Sequence, residues 1–362
     1  MTNFIGLNSV ASGLVRRIAV AAVVAIALSG CVAADMALDG LPYAPPQISG
    51  KVLAEMAKKG MKPESPVLVR IFKQESELEV WKIDATGTYA LLKTFPMCRW
   101  SGKLGPKTKS GDRQAPEGFY HVSAGMLNPK SQYYVSFNLG YPNRLESAMG
   151  HTGEALMVHG ACSSSGCYAL TDQGVGEIYA LAAKALASGQ ARFQVQAYPY
   201  RMTPENMALH KGDENMPFWR VLKEGYDAFE LTKRQPKVSV CGRRYVFNTD
   251  FQGGEPRDPL AACPATVSSP DDQLMAKIAA EKRRAETAMA ESKSTTLNAY
   301  VDGGMHPSFR SLLKKNGPEK LAASISGIKY PVSRPDAALA DPFELKAKRS
   351  SVGVVFNDQP RD

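Results

Sequence analysis

Cys167 and His159 are the two side chains in this sequence whose types and spacing point most directly to chemistry. They lie in residues 157–172, MVHGACSSSGCYALTD, which hold one histidine, two cysteines, three serines and two glycines. A cysteine attacks a carbonyl as its thiolate, and a nearby imidazole or an array of backbone N–H groups favours that form by lowering the thiol pKa from about 8.5 toward about 3.5–7.5. Cys167 is the stronger candidate nucleophile. Gly166 before it lets the backbone approach a substrate closely, and the turn-forming amides of Ser164 and Ser165 can converge on an oxyanion. If the intervening segment loops back, His159 reaches the thiol as general base and later protonates a leaving amine. Cys162 has no such glycine before it and reads as a packing or disulfide cysteine.

Two other arrangements use the same residues. His159, Cys162 and Cys167 would supply three zinc ligands, although no second Cys/His pair at metal spacing lies nearby. A Cys162–Cys167 disulfide beside a buried His159 would leave no nucleophile at all. Elsewhere Cys241 and Cys263 flank a short loop suited to a disulfide, worth about 3 kcal/mol if unstrained. Cys98 then pairs with Cys162 or stays buried. No metal and no organic cofactor is expected, and a thiol oxidoreductase is disfavoured because no CxxC is present.

The elements that must hold these residues are mostly strands. Residues 51–60, KVLAEMAKKG, have helical spacing and a glycine stop; PVLVRIFKQESELEVWKI then reads as a hairpin around residues 74–77. TYALLKTFPM, EGFYHVS and QYYVSFNLG read as further strands, and EALMVHG delivers an apolar strand into the cysteine segment. Thr171 or Asp172 can cap a following helix with Val175, Ile178, Ala182 and Ala185 on one face. ARFQVQAY alternates, with Phe193, Val195 and Ala197 facing one way and Arg192, Gln194 and Gln196 the other. Thr203-Pro204-Glu205 starts a helix, a second covers about 217–233, and KVSVCGRRYVFN is a small hairpin. Residues 265–362 are charged or low in apolar periodicity and read as a solvated helix followed by a disordered tail.

Composition and the leader set the compartment. Arg16 and Arg17 precede an uncharged run whose apolar core, Ile18 to Leu28, is shorter than the ~20 residues needed to span a bilayer. Its end, Leu28-Ser29-Gly30-Cys31, resembles a bacterial lipoprotein processing box in which Cys31 is lipidated and becomes the first mature residue. Removing residues 1–30 takes away two arginines and no acid, so the net charge falls from +9 to +7. A basic surface suits an anionic polymer or lipid headgroups, and no basic run interleaved with aromatics suggests nucleic acid. Five cysteines remain besides Cys31, an odd number that leaves at least one thiol unpaired in an oxidising compartment.

The cysteine segment resembles the signature of the L,D-transpeptidase (YkuD-type) family. The matching residues are His159-Gly160, Ser164-Ser165-Gly166-Cys167 and Thr171-Asp172, with Ser165 where a second histidine is common and Ala169 where arginine is usual. Those departures, the short gap from His159 to Cys167, and the blocks SGKLGPKTKSGDRQAPEGFYHV, NPKSQYYVSFNLGYPN and FQVQAYPYRM resemble the YafK-like branch, over about residues 66–235. The resemblance implies an α+β, mainly β, sandwich or barrel-like core with accessory helices and a disordered C-terminal tail. Taken with the leader and the composition of the C-terminal part, it divides the chain into a lipoprotein signal peptide (1–30), an N-terminal linker and helix (31–65), an L,D-transpeptidase-like catalytic domain (66–250) and a charged helical, largely disordered extension (251–362).

It also implies an enzyme that attacks the carbonyl of diaminopimelate in peptidoglycan stem peptides through an acyl-enzyme on Cys167. Water as acceptor gives hydrolysis, as in releasing a murein-linked outer-membrane protein, whereas an amine gives transpeptidation; hydrolysis is the first expectation. Ser165, Gly166 and Cys167 are the expected oxyanion-hole amides, and Gly160, Ser164, His151 and Arg113 the expected substrate contacts. The expected location is the cell envelope, facing the periplasm on a lipid anchor, with Val32 after Cys31 favouring the outer membrane. The competing function is a non-catalytic lipoprotein that anchors membrane to cell wall without a reactive thiol.

Overall fold

A computed structural model describes residues 45–268, 272–293 and 302–327. The processing box and Cys31 lie outside these residues, as does the chain after 327. Among the described residues no helix is long and apolar enough to cross a membrane.

The first helix, α1 (Gly50–Lys58), is capped by Ser49, whose hydroxyl accepts from the Val52 N–H, and it buries Val52 and Met56. A five-stranded sheet follows from β1 (Val67–Phe72), β2 (Glu77–Ile83), β3 (Tyr89–Pro96), β5 (Gly118–Ser123) and β10 (Arg192–Tyr198), in the order β3-β2-β1-β10-β5. Only β1 and β10 pair in parallel. The second sheet has the order β4-β9-β8-β7-β6, from β4 (Arg99–Trp100), β6 (Leu127–Ser131), β7 (Tyr134–Asn138), β8 (Met157–His159) and β9 (Tyr168–Ala169).

Both sheets contribute to one apolar core, with Phe137 of β7 meeting Phe193 of β10 edge-on at 5.6 Å. A short helix α2 (Arg144–Ala148) and the helix α3 (Asp172–Ala187) flank the second sheet in sequence. Val175, Ile178, Ala182 and Ala185 of α3 are all buried, and the cap is Thr171. Helices α4 (Pro204–Leu209) and α5 (Met216–Thr232) precede a ribbon of β11 (Val238–Cys241) and β12 (Arg244–Phe247). A second ribbon pairs β13 (Asp250–Phe251) with β14 (Thr266–Ser268). The fold is α+β with two open sheets; neither closes on itself, so the barrel-like part of the expectation is not met.

Three local expectations change on packing. The polar face of β10 is covered, and Gln194 and Gln196 are fully buried. Their amides are satisfied internally: Gln194 donates to the Pro236 carbonyl at 3.1 Å and Gln196 donates to Gln194 at 2.8 Å. Helix α6 (Asp272–Glu291) is not wholly solvated either, because Ala285 and Met289 are buried and Lys211 donates to the Met289 carbonyl. Finally, α7 (Pro307–Ile325), which breaks at Gly317, buries Phe309, Leu313, Leu321 and Ile325 over the Cys98–Cys162 bridge. Composition reads residues 302–327 as tail, yet spaced apolar residues dock them.

Candidate active site

Strands β8 and β9 are parallel neighbours, with Val158 beside Tyr168 and His159 beside Ala169. A parallel connection ordinarily takes a dozen or more residues. Here only residues 160–167 make it, and the sharp return needs left-handed backbone at Ala161, Cys162 and Gly166. Three contacts hold the turn. Asp172 accepts from the Ala161 N–H at 2.9 Å, Cys162 is bonded to Cys98, and the Ser164 hydroxyl donates to the Cys167 carbonyl at 2.7 Å. The tight return sets Cys167 beside Met157, whose N–H donates to its Sγ at 3.5 Å. Because side chains alternate along β8, Val158 enters the core while Met157 and His159 face outward.

A cavity of about 350 Å³ opens on that outer face, with Met157, His159, Ser163, Ser164, Ser165 and Cys167 among its walls. The β6–β7 hairpin closes the other side through Asn128, Ser131, Gln132, Tyr133 and Ser136. The His159 ring packs on Tyr133 at 4.7 Å between centroids. Its Nδ1 lies 2.6 Å from the Gly160 carbonyl oxygen. A carbonyl only accepts, so Nδ1 carries the proton and Nε2 keeps its lone pair. Burial holds the His159 pKa down to about 4, only partly offset by that hydrogen bond.

Cys167 is the free cysteine among the described residues, since Cys98–Cys162 and Cys241–Cys263 are bridged. Burial pushes its thiol above the ordinary range, against the Met157 N–H and the charge of Lys107, which both pull it down. The expected lowering to a standing thiolate is therefore corrected. Desolvation outweighs the two favourable contacts, and the resting pair is a neutral thiol with a neutral imidazole. Alkylation of Cys167 by iodoacetamide is accordingly expected to rise with pH through 9 and beyond. A plateau reached below pH 7, the signature of a thiolate stabilised at rest, would contradict this ordering of effects.

No family model matches the chain. It is 47% identical over 184 residues to the protein named "Putative L,D-transpeptidase YafK" of Escherichia coli (strain K12), a match covering 51% of this chain and 74% of that protein. The protein of the same name from Escherichia coli O157:H7 matches to the same extent. The chain belongs to the L,D-transpeptidase family, in its YafK-like branch. Among solved structures, the helical cell shape determining protein Pgp2 of Campylobacter jejuni is 18% identical, with a TM-score of 0.30, over 52% of this chain and 79% of that one. Bd1075 of Bdellovibrio bacteriovorus is 14% identical, with a TM-score of 0.28, over 55% and 81%.

The remaining expected site residues separate. Of the three expected oxyanion donors, two are engaged: the Gly166 N–H donates to Ser101 Oγ and the Cys167 N–H to Ser164 Oγ at 3.2 Å. Only the amide of the exposed Ser165 has no partner among the described residues. Gly160 is buried and does not line the cavity; a Cβ there would fall 2.7 Å from the Tyr133 carbonyl oxygen. Its role is to pass through a gap too narrow for a side chain and to present the carbonyl that orients His159. Ser164 lines the cavity but is buried, its hydroxyl committed within the loop.

His151 lies elsewhere, in the wall of a separate cavity of about 410 Å³ with Phe218, Arg243 and Arg244. Arg113 is not among the residues of the Cys167 cavity, and its guanidinium lies 3.7 Å from Asp302 instead. Lys107 is held by Asp112 and by the Lys109 carbonyl. Sequence reasoning missed Tyr133, Ser136, Met157 and Ser101. The alternation of YVSFN, which turns Val135 and Phe137 inward, leaves Ser136 on the outer face and was the available signal.

Proposed function

We propose that the protein is a cysteine-dependent peptidoglycan enzyme that cleaves at the diaminopimelate carbonyl of stem peptides through an acyl-enzyme on Cys167. The observation that carries the reading is a single cavity onto which both Cys167 and His159 open, with the imidazole fixed so that Nε2 is the basic nitrogen. As Sγ bonds to the carbonyl carbon, Nε2 takes the thiol proton; no ionised thiol is needed beforehand. The Ser165 N–H is the amide available to the developing oxyanion, since the Gly166 N–H is used by Ser101. When the C–N bond breaks, the imidazolium returns its proton to the leaving amine and a thioester remains. His159, with a pKa held near 4, is a strong proton donor once charged.

Water resolves the thioester in this reading. The cavity wall consists of hydroxyls, amides, apolar groups and the imidazole, with no lysine or arginine among its described residues. It therefore offers no counter-ion to the carboxylate of an incoming amine acceptor, and Ala169 stands where the resemblance places arginine. The leaving group includes a protein joined to diaminopimelate through a lysine side chain. With Cys31 as a lipidated residue, the reaction belongs at the cell envelope, on the periplasmic side, with the outer membrane as the favoured anchor.

The test is to incubate the protein with defined muropeptides, with and without a lysine-linked peptide, and to identify products by mass spectrometry. Free stem peptide ending in diaminopimelate is expected from both substrates. Cross-linked products in place of it would reassign the enzyme as a transpeptidase, and binding without any product would favour the non-catalytic wall anchor.

A further inference from the structure

Residues 302–306 lie along the sheet that carries the cysteine loop and make an isolated antiparallel bridge to it at Gly304. Gly304 and Trp100 exchange N–H···O bonds, both at 3.2 Å, so this segment pairs with β4, which in turn pairs with β9 through Trp100 and Tyr168. Two glycines make the approach possible. At Gly303, with φ +66°, a Cβ would run into the Trp100 carbonyl, and at Gly304 it would fall 2.7 Å from the Trp100 indole nitrogen.

The residue this segment delivers is Asp302, 5% exposed. One carboxylate oxygen accepts from the Gly102 N–H at 3.0 Å; the other lies 3.4 Å from the Arg99 guanidinium and 3.7 Å from Arg113. Gly102 follows Ser101, and Ser101 Oγ donates to the Arg113 carbonyl at 2.8 Å, accepts from the Gly166 N–H and lies 3.1 Å from Ser164 Oγ. Ser164 Oγ in turn accepts from the Cys167 N–H. Both hydroxyl protons go to carbonyls, so the Ser101–Ser164 contact is packing, and the hydrogen-bonded route runs from Asp302 through the Gly102 N–H and Ser101 to the N–H of Gly166, the residue before Cys167.

The other end of the segment grips the same loop from the opposite side. Ser326 Oγ and the Gly327 N–H donate to Asp172 at 3.0 and 2.8 Å, and Asp172 also holds Ala161. Between the two grips, Met305, Phe309, Leu313, Leu321 and Ile325 bury the Cys98–Cys162 bridge and Ala169.

We propose that Asp302 is a positioning residue for Cys167, and that residues 302–327 form a strap that completes the site from outside the catalytic strands. As a statement about reaction rate this rests on Cys167 being the nucleophile; as a statement about loop order it does not. The full-length variants Asp302→Ala and Ser101→Ala break the route at separate points, while Asp302→Asn keeps an oxygen for the Gly102 N–H. Two readouts are taken well below the melting temperature: hydrogen exchange of peptides spanning 160–170, and the first-order rate of Cys167 acylation at saturating carbapenem.

Both breaking variants are expected to lose protection in 160–170 and to acylate at least about tenfold more slowly, since misplacement by about 1 Å costs on the order of 10²-fold. The half-saturating carbapenem concentration stays within about twofold, and Asp302→Asn recovers most of the rate. If Asp302→Ala does not fold, Ser101→Ala decides alone. Wild-type protection and rate in the folded breaking variants overturn the proposal. A wild-type protein that carbapenem never acylates overturns the nucleophile instead, and the exchange measurement then judges the strap.

Discussion

The Cys167→Ala protein is expected to keep the wild-type fold and to lose stem-peptide cleavage by at least about 10³-fold, the scale on which removal of a nucleophile acts. The fold is indifferent to the change for a specific reason. Cys167 is partly buried at the cavity wall, takes no part in a disulfide, and makes one weak contact through Sγ, to the Met157 N–H. The loop is shaped by other groups: Cys162, Asp172, Ser164 and Ser101. Cys167→Ser is expected to fail as well, because an alkoxide is far harder to form than a thiolate and His159 is a weak base with a pKa held near 4. Circular dichroism and melting temperature check the fold, and product analysis by mass spectrometry checks the loss. An active Cys167→Ala protein would remove the nucleophile from the account.

The largest stability effect is expected at Lys73, a residue that takes no part in the chemistry. Lys73 and Glu117 are completely buried and 2.8 Å apart. The ammonium also donates to the carbonyls of Gly105 and Ala115, each at 3.0 Å. Glu117 accepts in addition from the Gly105 N–H at 2.7 Å and from the Trp219 indole at 2.8 Å. Burial pulls the Lys73 pKa down while Glu117 pushes it back up, so the ammonium depends on its partner. Lys73→Met leaves a carboxylate and two carbonyls without their cation, and a loss of roughly 3–5 kcal/mol is expected from urea unfolding. The double variant Lys73→Met/Glu117→Gln should recover a substantial part of it, because the stranded charge is gone. A single variant within about 1 kcal/mol of wild type would show that water or a protonation change relieves the pair.

The elements that were legible are those whose signals are local. The β1–β2 hairpin, the Thr171-capped α3 with its buried stripe, the Thr203-Pro204 start of α4 and the β11–β12 hairpin all follow from periodicity, caps and turn residues within a dozen positions. Residue types and the family resemblance also singled out Cys167 and His159, which line one cavity. What was not legible depends on pairing across the chain. The parallel register of β8 and β9 fixes where Cys167 lies against Met157, and no property of either two- or three-residue strand announces its partner.

The engagement of the Gly166 N–H was hidden for a related reason: Ser101, which takes it, lies 65 residues away. The burial of Gln194 and Gln196 was hidden because two amides can satisfy one another and still read as a solvent face. The docked strap was partly visible. Met305, Phe309, Leu313, Leu321 and Ile325 keep a four-residue spacing, but Gly317 occupies the position between Leu313 and Leu321 and, with Pro318, breaks the helix, so the apolar stripe is interrupted at its middle.

The central claim is that Cys167 carries the acyl group, and the most direct measurement is to locate that group. Wild-type protein is incubated with a carbapenem or a stem peptide, quenched in acid, and examined by intact and peptide mass spectrometry without reduction. One adduct per chain is expected, mapping to the peptide containing Cys167, with Cys98–Cys162 and Cys241–Cys263 still bridged. An adduct at another residue, or an unmodified chain in a sample that cleaves its substrate, would contradict the account.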